Sequence, residues 1–336
     1  MRRAEDGGMK RGGASARVDL RVRLLGLLTR RFSISDLDAE GIASAQARHL
    51  GHNRVVDFVF GGVAPGTEQE EIEVAGQVGR LPARVHRPVG AEGPLPLVLD
   101  FHGGGWVLGD LDGVDWHCSS VAAAVGAVVV SVDYRLAPTH RWPAGPEDCY
   151  AALCDVVTRA SEFGADPDRV AVMGDSAGGN LSAVVALMAR DRNGPRIAFQ
   201  GLVYPATDLT LSSPSIDENA DAPVLTRADV EAFRDLYLGG QDPRDPYVSP
   251  LFAADHSGLP PALVQVAELD PIRDDGLRYA AALRAAGVPV RTTTYVGMPH
   301  GYLSFPGFCR SAPQAMAELC AELALHLRAE VSEPGT

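Results

Sequence analysis

Along the 336-residue chain the spacing of apolar positions changes character several times. From Val18 to Phe32 apolar residues recur at Val22, Leu25 and Leu28, with Arg17, Arg21, Arg23, Arg30 and Arg31 around them, which predicts an amphipathic helix. Ser35-Asp36-Leu37-Asp38 reads as a helix start leading into residues 39–50. Arg54–Phe60, Glu70–Val74 and Leu81–Pro88 read as three exposed strands. After a Pro/Gly-rich loop at 88–96, short apolar strands alternate with helices. The sequence predicts a strand at Leu97–Phe101, a helix near 115–125, a strand at Ala127–Tyr134 and a helix near 145–161. A strand at Arg169–Met173, a helix from Asn180 to Ala189 and a strand at Phe199–Tyr204 follow. Residues 206–256 break the rhythm: they are polar, rich in Pro, Asp and Ser, and hold one helix at Arg227–Leu238, as an insertion over a site would. Alternation resumes with a strand at Ala262–Ala267, a helix near 274–286, a strand at Val288–Val296 and a helix near 311–328. Such alternation implies an α/β fold, with a mostly parallel sheet flanked by helices on both faces. Ligands bind at the carboxyl ends of strands in such sheets.

Composition narrows the function. With 46% hydrophobic residues the chain can bury a large core, as one domain or as one with an appendage. The formal net charge of −13 argues against a nucleic-acid partner. Five cysteines, odd in number and without a CxxC pair, fit neither a disulfide scaffold nor a zinc site and point to a reducing cytoplasm. Residues 1–16, Gly-rich and charged, read as a disordered tail. The run Leu24-Leu25-Gly26-Leu27-Leu28 is too short for a signal sequence, and no segment reaches the roughly 18 apolar residues of a span. The 18–32 helix could lie on a membrane surface. The acidity of the rest of the chain favours packing over the main domain, so no membrane partner is expected.

Four strand ends carry chemistry. Gly174-Asp175-Ser176-Ala177-Gly178 between a strand and a helix is a nucleophile-elbow pattern, in which small residues permit a sharp turn that presents Ser176. Asp270 and His300 each follow a predicted strand, and the order Ser, Asp, His matches the triad order of α/β-hydrolases. His300 is the expected base and Asp270 its orienting acid. Asp274 and Asp275 compete for that role, but their place at a helix start suits capping. In His102-Gly103-Gly104-Gly105 the glycines suit an oxyanion hole, whose expected donors are the amides of Gly103, Gly104 and Ala177, while His102 is read as structural. A phosphate loop is the other reading of those glycines, but neither a Lys-Ser/Thr pair nor GxGxxG is present. Trp106, Asp175 and Tyr204 are the expected substrate contacts, and no metal ligands are expected.

These segments resemble the hormone-sensitive-lipase-like family of α/β-hydrolase carboxylesterases. The resemblance rests on His102–Trp106, Asp133-Tyr134-Arg135-Leu136-Ala137-Pro138, Gly174–Gly179, Asp270–Gly276 and Pro299-His300-Gly301. It implies an α/β-hydrolase fold with a helical cap made from residues 17–50 and 206–256, the catalytic domain being 51–205 and 257–330. It further implies cleavage of short- to medium-chain esters through an acyl-enzyme, without cofactor or metal. Thr139 stands where the family usually has Glu, which puts one polar partner near the site in doubt. A homodimer through the strand at 290–295 is a further expectation. Other readings are a deacetylase or deacylase of a specialised metabolite or drug-like ester or amide, a non-catalytic ligand-binding protein, and a dehydratase-like use of the fold.

Overall fold

The computed structural model describes residues 18–49 and 51–329, so the tail expected at 1–16 lies outside the described residues. Its strands are β1 (Thr67–Ala75), β2 (Arg80–Pro88), β3 (Leu95–Phe101), β4 (Val128–Val132), β5 (Ala165–Asp175), β6 (Phe199–Val203), β7 (Ala262–Leu269) and β8 (Val290–Pro299). They form one sheet in the order β1-β2-β4-β3-β5-β6-β7-β8. β2 runs antiparallel to β1 and β4, and every other neighbouring pair is parallel. The helices are α1 (Leu20–Thr29), α2 (Ala39–Gln46), α3 (Arg54–Phe60), α4 (Asp115–Val121), α5 (Ala144–Thr158), α6 (Ala177–Asp191), α7 (Ser215–Glu218), α8 (Arg227–Leu238), α9 (Arg273–Ala285) and α10 (Ala312–His326).

Period-two patterning explains how the sheet is covered. In β3, Leu97, Leu99 and Phe101 join the core beneath α5 and α6, with Leu153 and Leu181. Val98 points the other way, toward Cys118 of α4 and Leu319 and Leu323 of α10. The central strands are therefore apolar on both sides, and β3, β4 and β6 are buried almost throughout.

Two expectations are corrected. Arg54–Phe60 is a helix, not a strand. The Asn53 side chain accepts hydrogen bonds from the amides of Val55 and Val56, and Gly61 ends the helix at φ 85°. These end signals outweigh the β-branched and aromatic composition, since β1 and β8 already close the sheet edges without that segment. The 206–256 stretch also holds a second short helix, α7, beside the expected α8.

Helix α8 begins with a capping box between Thr226 and Asp229. Asp229 also receives the Ser33 hydroxyl, and Gly26 lies against Pro223, so the N-terminal helices and the 206–256 stretch meet above the strand ends. Below, Asp275 accepts from Ser213 at 2.5 Å and from the Asp208 amide at 3.2 Å, while Arg278 donates to Asp208 at 2.6 Å.

Candidate active site

Each chemically marked segment begins on the residue after a strand ends: His102 after β3, Ser176 after β5, Asp270 after β7 and His300 after β8. Ser176 occupies φ 55°, ψ −115°, a conformation most residues avoid. It is held there by its own amide donating to Val203 O at 2.8 Å and by the Asn180 amide donating to its carbonyl at 3.0 Å. The turn works because residue 178 is glycine: a Cβ there would collide with the Phe101 carbonyl.

The structure brings the three predicted catalytic side chains together. His300 Nε2 lies 2.8 Å from Ser176 Oγ, and His300 Nδ1 lies 2.8 Å from Asp270 Oδ2. Asp270 is fully buried, and its second oxygen accepts the Ile272 amide at 2.9 Å. The competing carboxylates lie elsewhere. Asp274 accepts the Ser215 amide at 3.1 Å, and Asp275 joins the Ser213 and Asp208 network.

The glycine loop departs from expectation. The Gly103 amide donates to Asp175 Oδ1 at 2.8 Å, so it is already engaged and is not an oxyanion donor. Among the described residues no acceptor takes the amides of Gly104, Gly105 or Ala177, and the last stands at the N-terminus of α6. Gly104 has φ 114°, and a Cβ on it would meet the Leu108 carbonyl, so only glycine fits. The Gly105 amide is thus free where that of Gly103 is engaged. The clue lay in the sequence: a carboxylate beside the nucleophile needs a donor, and the nearest loop offers one.

Asp175 accordingly holds the loop through the Gly103 amide, and it also lines the cavity above Ser176. Beneath it Asp100 is buried and is pushed up to about 8, first by burial and then by the Asp175 charge. At neutral pH Asp100 is therefore mostly neutral. Tyr204 is also corrected. It is buried behind His300, with ring centroids 4.8 Å apart, and does not line the cavity. Trp106 does line it, stacked on Tyr237 of α8 at 4.4 Å. His102 is structural in its contacts: its ring stacks on Tyr134 at 4.3 Å, and the Tyr134 hydroxyl donates to the His102 carbonyl at 2.8 Å. Thr139 is exposed, and nearby Arg135 pairs with buried Asp148 at 2.7 Å.

Above Ser176 lies a cavity of about 790 Å³. Its apolar lining includes Leu28 of α1, Phe60 of α3, Leu209, Val224, Phe233 of α8 and Phe305, none of which sequence motifs marked. At its rim His49, Asp110 and Asp112 are the one group among the described residues whose donor atoms could meet on a metal. Asp112 already pairs with Arg84 at 3.0 Å, so the set is not a free ligand cluster.

The strand order, the elbow and the Ser-His-Asp alignment define a hydrolase of the α/β class. Residues 98–304 match the α/β-hydrolase fold family, and the chain belongs to it. The carboxylesterase NlhH of Mycobacterium tuberculosis is 49% identical over 252 residues, 73% of this chain and 79% of that protein. The carboxylic ester hydrolase LipN of the same organism is 40% identical over 317 residues, 92% of this chain and 83% of that protein. Among solved structures, a hyperthermophilic esterase from the archaeon Pyrobaculum calidifontis superposes with a TM-score of 0.80 at 38% identity, covering 90% of this chain and 96% of that one.

Proposed function

We propose that the chain hydrolyses carboxylic esters of short to medium acyl chain through an acyl-enzyme on Ser176. The observation that carries this reading is the unbroken Ser176–His300–Asp270 alignment, at 2.8 Å on each side of the imidazole, opening into an apolar cavity beside three free amides. His300 Nε2 takes the hydroxyl proton as Ser176 Oγ attacks the ester carbonyl. Gly104, Gly105 and Ala177 donate to the oxyanion, and loss of one such donor costs about 2.7–4 kcal/mol. Asp270 accepts from His300 Nδ1–H and stabilises the imidazolium, which then protonates the leaving alcohol. Water repeats the sequence and frees the acid. The N-terminal helices and residues 206–256 act as the cap, and the cavity has room for both acyl and alcohol groups.

The same proposal places the protein in a reducing cytoplasm, since its five cysteines are unpaired. It also includes a homodimer through β8, which has β7 as its one neighbour; Arg291 is drawn back to Glu318 at 2.8 Å and leaves that edge uncovered. Light scattering should then give twice the 35.5 kDa of one chain. The deciding experiment is a p-nitrophenyl ester series from acetate to palmitate on wild type and Ser176→Ala. Turnover that peaks at short or medium chains and drops by on the order of 10⁶-fold in the variant is expected. Turnover that survives Ser176→Ala would overturn the mechanism.

A further inference from the structure

Helix α1 carries apolar residues on two opposite faces. Val22, Leu25 and Gly26 are buried against the body of the protein. Leu20, Leu24 and Leu27, spaced by four and three, form a stripe on the other side and are 79%, 49% and 63% exposed. Arg21 and Arg23 flank that stripe, one on each side, and Arg30 and Arg31 follow at its end. Among the described residues none of these four arginines enters an ion pair, and Arg30 donates only to the Asp221 carbonyl.

The surroundings extend the pattern. Leu28 is 46% exposed and also lines the catalytic cavity. Phe58 of α3 is exposed, with its ring 6.2 Å from that of Phe308, another cavity residue. Asp19, which caps α1, pairs with Arg310 at 3.5 Å, so α1, α3 and the 305–310 turn share one rim. Charge is distributed unevenly. The first 31 residues hold nine basic and three acidic side chains, in a chain whose net charge is −13.

We propose that this face docks on an anionic phospholipid surface, with the leucines entering the boundary between headgroups and acyl chains and the arginines meeting the phosphates. A leucine stripe bordered by arginine on an otherwise folded helix is the arrangement such surfaces bind. A second copy of the chain is the poorer occupant, because a two-fold contact would set one group of unpaired arginines against another. The acidity of the rest of the molecule orients the contact, with this rim toward the lipid.

The test is co-sedimentation of the full chain with vesicles of phosphatidylcholine alone or mixed with phosphatidylglycerol. Wild type should bind the mixed vesicles at least about tenfold more tightly, and added salt should weaken the binding. The variant Leu20→Ser/Leu24→Ser/Leu27→Ser should lose about tenfold or more of that binding. It should still turn over a soluble ester at the wild-type rate, because none of the three lines the cavity. Wild type remaining in the supernatant would overturn the proposal. So would unchanged binding of the triple variant, which would mean charge adsorption alone. A triple variant that merely converts dimer to monomer would also overturn it, by showing that a second copy covers the stripe.

Discussion

The two sides of the cavity are built on different principles. Its floor is backbone: Ser176, Asp270 and His300 stand immediately beyond β5, β7 and β8, and α6 behind them is buried from Ala177 to Ala189. Each triad side chain there has a neighbour that fixes it, down to the Ile272 amide on Asp270. The roof is side chain. It is assembled mainly from α1, α3 and residues 206–256, and is joined to the floor by such contacts as Phe233 over Gly105 and Trp106 on Tyr237. The Gln46 amide adds hydrogen bonds to the carbonyls of Val107 and Ala137 at 2.8 and 2.9 Å. Proton transfer requires hydrogen-bond geometry that tolerates little displacement, whereas holding an acyl chain requires only apolar volume of roughly the right shape. Floor changes should therefore appear in kcat and roof changes in KM and substrate choice.

The largest effect should separate two carboxylates four residues apart. Asp270→Asn removes the partner that fixes the His300 tautomer and should lower kcat by about 10⁴-fold. Asp274→Asn removes the charge that pairs with Arg273, away from the triad, and should change kcat by less than about tenfold. Steady-state kinetics on one soluble ester decides this, and a reversed order would make Asp274 the triad acid. Next comes Asp175→Ala, which releases the Gly103 amide and with it the loop that carries Gly104 and Gly105, the proposed donors. A fall of about 10²-fold in kcat, with little change in KM, is expected. A change confined to KM would return Asp175 to the role of substrate contact.

The same division explains what could be read from the chain. The elbow, the Asp and the His were legible because a sharp turn or a strand end admits few residue types, and their order along the chain matches one architecture. Strands such as Val128–Val132, apolar on both faces, were legible for a similar reason. Arg54–Phe60 was misread because composition favoured a strand, while its helical state rests on two end residues, Asn53 and Gly61. The choice of Gly103 over Gly105 failed because three consecutive glycines look alike until Asp175 takes the amide of the first. Tyr204 failed differently: its closeness in sequence to β6 does not reveal that its ring turns behind His300. The roof residues had no signature, since an apolar side chain that lines a cavity has the same pattern as one that lines a core.

A smaller effect is expected in the roof itself. Phe233→Ala removes the ring lying over Gly105 and enlarges the cavity. KM for the shortest ester should rise by about tenfold while longer acyl chains gain, with kcat on the best substrate nearly unchanged. A drop in kcat across the whole series would mean that Phe233 holds the oxyanion loop in place, and the separation between floor and roof would fail at that contact.

The smallest effect should come from the joint between α2 and α3, and it should depend on pH. His52 Nε2 lies 2.8 Å from Asp115 Oδ2, and Nδ1 lies 2.9 Å from Asp57 Oδ1. Hydrogen bonds to Asp115 and then Asp57 raise the imidazole above its ordinary 6.5, although burial opposes this. Arg84 also pairs with Asp115 at 2.7 Å, and with Asp112 and Glu71. His86 is pushed down to about 4 by burial, so it stays neutral and does not compete for Asp115 at higher pH. A group whose folded-state value is raised stabilises fully below its unfolded value, and the contribution fades as pH climbs through the raised value. Wild type should therefore melt above His52→Gln at about pH 6, and the gap should close by about pH 9. Because α3 supplies Val59 and Phe60 to the cavity, KM for an apolar ester should rise over the same interval in wild type but not in His52→Gln. Calorimetry and kinetics on the pair at both pH values test this together. A melting gap independent of pH would mean that His52 acts by packing rather than by charge, whereas a kcat that follows the gap would mean that this joint reaches the floor.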